Sequence, residues 1–381
     1  MNFIALYKSP YYGGGVQRTA GILMTAIDKG KKSDFTILCS DDNQEKNFQY
    51  NDFECVNFKF KGFDILEKIL MLKSLIQSFR IFRYLQKHST KESIILIHTI
   101  EMCVFVSLFR GFFQKKKIVL FSHGSIFEAY STYVYKRLPM KFWYIKGVYF
   151  FVRYYFYLLE KISLSGADEC IFISQKNLDF SKKHFNNQKK STIISNSFEI
   201  PEIKAKPVLK MDANTQFTAI IIGSTIYMKG LDILLEITKK FTNCKLKVVG
   251  FDDFKAAGKA DKYENLEFLG RLKQDEVKKA ISESDFLLMP SRIESFCNVV
   301  IEALLEGKPF IASRTCEHAP FDYNHFGMLL DSYDPEDWLT AINKMSTPLV
   351  YNQFANNIYK DLDTSPVDIK NNFKKYVEFL T

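Results

Sequence analysis

The chain has 381 residues, long enough for two ordinary domains and too long for one small core. Hydrophobic residues make up 47% and charged residues 25%, which excludes a disordered or collagen-like chain. The net charge of +9 is uneven: residues 1–205 hold 30 Lys+Arg and 18 Asp+Glu (+12), and the remainder 22 and 25 (−3). In chain order, NFIALY reads as a first strand that runs into a glycine loop, and 16–29 as a helix. FTILCS (35–40) is a second strand, and 64–87 a helix with Ile65, Leu66, Ile69, Leu72 and Leu75 near helical spacing. IILIHT (94–99), a helix around 101–112, KIVLFSHG (117–124), an aromatic helix over 142–159, ECIFIS (169–174), a further helix and STIIS (191–195) follow. This βαβ rhythm predicts a parallel sheet covered by helices on both faces.

A break comes at 199–215, EIPEIKAKPVLKMDANT, with two prolines and no period, and this is the expected linker. The rhythm then restarts: FTAIIIG (217–223), a helix over KGLDILLEITKKF, CKLKVVG (244–250), LEFLG (266–270), a helix at 273–283, DFLLMP (285–290), FIAS (310–313) and GMLLD (327–331). The predicted fold class is therefore α/β, two doubly wound parallel-sheet (Rossmann-like) domains with an inter-domain cleft. Ligands of such sheets bind beyond the carboxyl ends of the strands.

Seven cysteines, at 39, 55, 103, 170, 244, 297 and 316, include no CxxC pair, which argues against a zinc site or a disulfide framework and for a reduced compartment. The first residues lack the pattern of a signal peptide, and no apolar run of 18 residues is free of charge, so no membrane span is expected. The basic first half asks for an anionic partner. Nucleic acid is the weakest choice, because no recognition motif is present and the charge is not gathered on one helix.

Four stretches carry candidate chemistry. SRIESFCNVVIEALLEGKPFIAS places Glu294 and Glu302 eight residues apart, one before and one inside a helix expected to begin near 297–299. IIIGSTIYMKGLDIL places Gly223, Ser224, Lys229 and Gly230 just after a strand. YYGGGVQRTAGIL puts Gly13, Gly14 and Gly15 in the first βα turn, without the spacing of a dinucleotide site. FSHGSIFE puts His123 and Gly124 after the fourth predicted strand.

In this order and spacing the stretches resemble the retaining GT-B glycosyltransferases of family 4 (glycosyltransferase group 1), over nearly the whole chain. The resemblance implies a transferase (EC 2.4) that moves a sugar from a nucleoside-diphosphate sugar to an acceptor hydroxyl with retention. It assigns His123, Lys229 and Glu294 as catalytic. It assigns Gly14, Gly15, Gly223, Ser224, Lys229, Arg271, Glu294, Phe296, Cys297, Asn298, Val299 and Glu302 to donor binding. A helix N-terminus suits a diphosphate, and ionised carboxylates suit sugar and ribose hydroxyls. Ser224 stands where the family usually has arginine, and Arg292 and Arg271 are the candidates to replace that charge. Ser197 and Cys297 stand where the family has glycine.

The resemblance further implies no metal and no cofactor beyond a UDP- or GDP-sugar co-substrate, with Asp252-Asp253 only a loop pair. The expected domains are 1–205 on the acceptor side, with a C-terminal helix of about 365–381 packing back on it, and 206–364 for the nucleotide sugar. The expected acceptor is a glycan or lipid-linked glycan of bacterial surface polysaccharide (capsule, O-antigen or lipopolysaccharide). The expected place is cytoplasmic, at the inner face of the cytoplasmic membrane, with peripheral contact to anionic lipid. A weakly active or inactive GT-B subunit that partners another glycosyltransferase is the alternative.

Overall fold

The computed structural model describes residues 2–6, 35–40, 47–50, 53–58, 72–129, 143–201, 216–241, 243–251, 263, 265–318 and 321–380. The expected helix at 16–29, the start of the helix at 64–87, the glycines at 13–15, most of the linker and Asp252-Asp253 lie outside these residues. The chain divides into two compact units, Met1–Phe198 with Val367–Thr381, and Glu199–Pro366.

The first unit contains an eight-stranded sheet of β1 (Asn2–Leu6), β2 (Phe35–Cys39), β3 (Asn47–Tyr50), β4 (Phe53–Asn57), β5 (Ile94–His98), β6 (Lys117–Ser122), β7 (Glu169–Phe172) and β8 (Lys190–Ile193), ordered β3-β4-β2-β1-β5-β6-β7-β8. β1 pairs in parallel with both neighbours, Ile4 opposite Ile37 and Leu96. Successive residues face opposite sides. Phe3, Ala5, Ile95, Ile97, Ile118 and Leu120 pack on one face, and Ile4, Leu6, Leu96, Val119 and Phe121 on the other. Burial on both faces is why these strands are continuous apolar runs.

On the first of these faces lie α1 (Leu72–His88), α2 (Ile100–Leu108) and α3 (Trp143–Gly166). The helix expected at 101–112 ends as α-helix at Leu108 and passes into a 3-10 turn at Arg110–Phe113. There the Arg110 guanidinium takes both Asp168 oxygens at 2.7 and 2.8 Å. α3 runs past the expected 159 to Gly166, where a Cβ would sit 2.2 Å from Ser107 Oγ, so glycine permits the α2–α3 contact. The expected all-parallel sheet needs one correction: β3 pairs antiparallel with β4, Phe48 opposite Cys55. The alternation in FQY-ND-FEC carried that hairpin signal. α4 (Gln175–Phe185) covers β7 and β8 and is capped by Ser174 Oγ, which accepts from Asn177 N–H at 3.2 Å.

α12 (Ile369–Leu380) belongs to this unit as well. Phe198 N–H donates to Val367 O at 2.8 Å, and Ile369 N–H to Phe198 O at 2.9 Å. Asn372 Nδ2 donates to Ser195 O and Ser197 Oγ, and the buried Tyr376 ring lies 6.1 Å from that of Phe121.

The second unit is a six-stranded sheet in which every pairing is parallel. Its strands are β9 (Phe217–Gly223), β10 (Cys244–Gly250), β11 (Leu266–Gly270), β12 (Phe286–Met289), β13 (Phe310–Ser313) and β14 (Gly327–Leu330), ordered β11-β10-β9-β12-β13-β14. The helix expected over 229–241 is found as α6 (Leu231–Ile237), which passes into a 3-10 turn at Thr238–Lys240; a short α5 (Ile226–Lys229) precedes it, and the two meet at Gly230, whose φ is +73°. α7 (Gln274–Ser282), α8 (Asn298–Leu305) and α9 (Tyr323–Phe326) follow. Then come α10 (Pro335–Met345) and α11 (Pro348–Asp361), which the sequence reading did not identify. α10 buries Trp338 completely and starts from Asp334, whose carboxylate accepts Glu336 N–H at 2.9 Å.

Candidate functional site

Because all six strands of the second unit run the same way, their carboxyl ends share one edge, and the turns into α5 and α8 lie there. The floor of that edge is bare backbone. A Cβ on Gly250 (φ +84°) would lie 2.0 Å from Gly223 O, the atom that accepts Phe251 N–H at 3.0 Å. A Cβ on Gly223 would lie 2.7 Å from Lys229 Cγ and 2.8 Å from Phe251 Cζ. Gly223 thus gives the Lys229 stem room to cross the end of β9.

The α5 turn is fastened to the loop after β12. A Cβ on Gly230 would sit 2.2 Å from Pro290 O. Arg292 N–H donates to Met228 O at 2.8 Å, and Arg292 Nη1 to Tyr227 O at 2.5 Å. The guanidinium also grips both Asp232 oxygens at 2.8 Å and lies 4.0 Å over the Tyr227 ring. Such a bidentate, stacked arginine fixes geometry more firmly than a lysine can.

Between these two loops, Lys229 Nζ and Glu294 Oε1 are 2.5 Å apart, with side chains 26% and 8% exposed. Burial works to lower the Lys229 pKa, but the Glu294 carboxylate overcomes it, and the net shift is upward. The group is an ammonium throughout the working range. Directly after Glu294, α8 opens at Asn298 with Cys297 as its N-cap, and the Cys297 side chain makes no capping hydrogen bond. Glu302 lies one turn further in and is half-buried. Under this turn the sulfurs of Cys297 and Cys316 and a carboxylate oxygen of Glu294 all lie within 4.8 Å of one another. Cys316 is held from β12, its Sγ 3.7 Å from Met289 O. The Cys297 thiol is pushed well up, first by its hydrogen bond with Cys316 and then by burial.

In the first unit, His123 follows β6 and shares a 3.3 Å hydrogen bond with His98 Nδ1 at the end of β5. His98 is fully buried and stacked on Phe121 with ring centroids 4.0 Å apart, and among the described residues its Nε2 has no partner. Burial holds His123 down to about 4 and lowers His98 as well, so the pair is neutral at pH 7. The next turn is anchored by buried Glu160, whose Oε2 accepts Ser125 Oγ–H at 2.9 Å and Phe127 N–H at 3.1 Å.

Gly223, Lys229, Glu294 and Cys297 thus come together, with Phe296, Asn298, Val299 and Glu302 on or beside α8. Phe296 and Cys297 are buried. Ser224 is exposed, its hydroxyl 3.5 Å from that of Thr225. Arg271 follows β11, two strands from β9, and is exposed. Arg292 is paired with Asp232. Gly14 and Gly15 lie outside the described residues. Asp232, Phe251, Cys316, His98 and Glu160 escaped the sequence reading. His98 and Asp232 had positional signals, one at the end of a strand and one in the first turn of a helix. The other three had none.

Two α/β units, each built on a largely parallel sheet with turns gathered at the carboxyl edge, define the GT-B fold of glycosyltransferases, and solved structures agree. Sucrose-phosphate synthase from Thermosynechococcus elongatus superposes with a TM-score of 0.74 at 14% identity, covering 100% of this chain and 98% of that one. WaaG, a glycosyltransferase involved in lipopolysaccharide biosynthesis, gives 0.72 at 16% identity with both chains fully covered. HepE of Anabaena, solved in complex with UDP-glucose, gives 0.65 at 15% identity, covering 100% of this chain and 99% of that one. Residues 202–361 match the family described as "Glycosyl transferases group 1". An uncharacterized glycosyltransferase of Methanocaldococcus jannaschii is 28% identical over 202 residues, 51% of each chain, so the match spans about half of that relative's length. The D-inositol 3-phosphate glycosyltransferase of Corynebacterium jeikeium is 34% identical over 79 residues, 20% of this chain and 19% of the relative.

Proposed function

We propose that the protein transfers a sugar from a nucleoside-diphosphate donor, a UDP- or GDP-sugar, to an acceptor hydroxyl with retention of configuration. The observation that carries this is the Lys229–Glu294 pair at the sheet's carboxyl edge, set beside the start of α8. In the reaction the bond from the anomeric carbon to the diphosphate breaks, the acceptor oxygen bonds to the same face, and its proton leaves with the departing phosphate. The developing diphosphate charge falls to Lys229 and to the α8 N–H groups, whose dipole end amounts to roughly half a positive charge. Glu294 accepts sugar hydroxyls and Glu302 those of the ribose. Neutral His123, its ring oriented by His98, offers the transferred sugar a hydrogen bond without adding charge. Charge stabilisation by Lys229 and positioning make the transfer independent of added metal. Thermal shifts with UDP, GDP and their sugars, followed by NMR of the product anomer, test this reading; an inverted product or no nucleotide-dependent shift sinks it.

The acceptor is assigned to the first unit and to surface polysaccharide assembly at the inner membrane face. Supporting this is the +12 charge of residues 1–205, with exposed Phe150 and Phe151 on α3 and exposed Phe79, Phe109 and Phe112 beside α1 and α2. Among the described residues no helix is long and apolar enough to cross a membrane, so contact would be peripheral. Cosedimentation with anionic but not neutral vesicles, lost at high salt, is the expected result; equal binding to both refutes it.

One observation favours the second reading, an inactive partner subunit. Ser224 replaces an expected arginine, and Arg292 is committed to Asp232. Donor hydrolysis that Glu294→Ala abolishes decides for the enzyme.

A further inference from the structure

We propose that Cys297 Sγ, Cys316 Sγ and the Glu294 carboxylate form a binding site for a thiophilic d10 cation, Zn2+ being the probe. The two cysteines are 3% and 0% exposed, and eighteen residues of chain lie between them, so no local spacing motif announces the pair. The fold joins them. The N-cap of α8 supplies Cys297, and the 3-10 turn after β13, Arg314–Cys316, supplies Cys316.

Three features suit a cation. The first is distance. Ligand atoms of a tetrahedral zinc site with Zn–S near 2.3 Å stand about 3.8 Å apart. The three atoms here lie within 4.8 Å of one another, so each pair closes by about 1 Å at most. The second is the donor set: two sulfurs and one carboxylate oxygen select zinc-like ions over magnesium or calcium and leave a fourth position open. The third is charge. On binding, the two thiols release two protons, giving two thiolates, one carboxylate and one divalent ion, a complex of net −1. The Lys229 ammonium, 2.5 Å from Glu294 Oε1, balances it, so the buried cluster is neutral with or without the cation. Lys229 also fixes the carboxylate, as an outer partner of a metal ligand does.

The cation is an addition to the transfer reaction and not its cofactor. Resting on the donor reading above, it has one consequence: a carboxylate bound to metal no longer accepts sugar hydroxyls. Zn2+ should therefore weaken binding of the UDP-sugar and leave that of UDP alone unchanged.

The test uses the reduced, metal-free full chain. Co2+ should give the intense visible bands of tetrahedral geometry with thiolate charge transfer, and Zn2+ should displace it one for one. Cys316→Ser should weaken Zn2+ by at least about 100-fold, beyond the 10- to 100-fold typical of outer partners. Cys55→Ser, in the first unit, should leave binding unchanged. Weak octahedral bands in the wild type overturn the proposal without need of any variant. So does equal Zn2+ affinity in Cys316→Ser. These readouts do not depend on glycosyl transfer, so failure of the donor reading leaves the metal result standing.

Discussion

Lys229→Met removes the ammonium from a carboxylate that is only 8% exposed. Breaking a fully buried pair from one side costs about 3–5 kcal/mol, because the remaining charge stays buried without its partner. Lys229 is itself 26% exposed, so water reaches the gap and the expected cost falls to about 3 kcal/mol. Glu294→Gln should cost less, about 1–2 kcal/mol, since the freed ammonium can turn toward solvent. The double variant should cost about 2 kcal/mol, well short of the sum, leaving a coupling of roughly 2 kcal/mol. The two tryptophans allow a clean assay. Trp338 is fully buried in the second unit, and Trp143→Phe leaves it as the sole indole reporter of that unit's urea unfolding. Two units call for this separation, because a whole-chain transition would mix them. Coupling below about 0.5 kcal/mol would mean that the two groups do not depend on each other, and the argument for a buried pair would fail.

Three further predictions concern the supports of the site. Burial raises Glu160 from its ordinary 4.5 to about 8, against the opposing bonds from Phe127 N–H and Ser125. The folded state therefore holds its proton more tightly, and stability falls as pH rises from about 4.5 to 8 and is level above that. Glu160→Gln, which still accepts both bonds, should flatten this decline by a few kcal/mol in thermal unfolding across the pH range; an unchanged slope refutes it. Gly223→Ala puts a Cβ 2.7 Å from Lys229 Cγ, so UDP affinity by calorimetry should drop about tenfold or more while Trp338-reported stability falls by only about 1–3 kcal/mol; an intact affinity contradicts the crowding argument. Deleting 367–381 removes Tyr376 from Phe121 and the bonds to Phe198, so hydrogen exchange should rise in β1, β5 and β6 while β9–β13 keep their protection.

The strands were legible because burial on both faces leaves most of them as apolar runs, and β1, β5, β6, β9 and β13 fall where those runs are. β3 and β4 were less visible because an edge hairpin mixes Gln49, Asn51 and Asp52 with its apolar residues. The short α5 ahead of Gly230 escaped notice because four residues are too few to show a helical period, and the close approach of Pro290 to Gly230 comes from sixty residues away in the chain. The eight-residue spacing of Glu294 and Glu302 gave the start of α8, but the Cys297–Cys316 contact depends on where β13 delivers its following turn, which spacing alone does not encode.

The charge balance around Ser224 follows from the same long-range contacts. Asp232, in the first turn of α6, pairs with Arg292 over the Tyr227 ring. The Lys229 ammonium is likewise already paired, with Glu294. On the proposed reading, Lys229 can serve a diphosphate and Glu294 a sugar only if their 2.5 Å contact opens or is shared with the ligand. One donor molecule supplies both replacements at once, anionic oxygens for Lys229 and hydroxyls for Glu294. A bare diphosphate supplies only the first and leaves a buried carboxylate without its cation. The intact nucleotide sugar should therefore bind more tightly than the nucleotide by more than its hydroxyl contacts alone would give, and Glu294→Gln should erase that excess. Calorimetry of both ligands on both proteins measures it. An excess that survives the substitution would mean that Lys229 and Glu294 act independently.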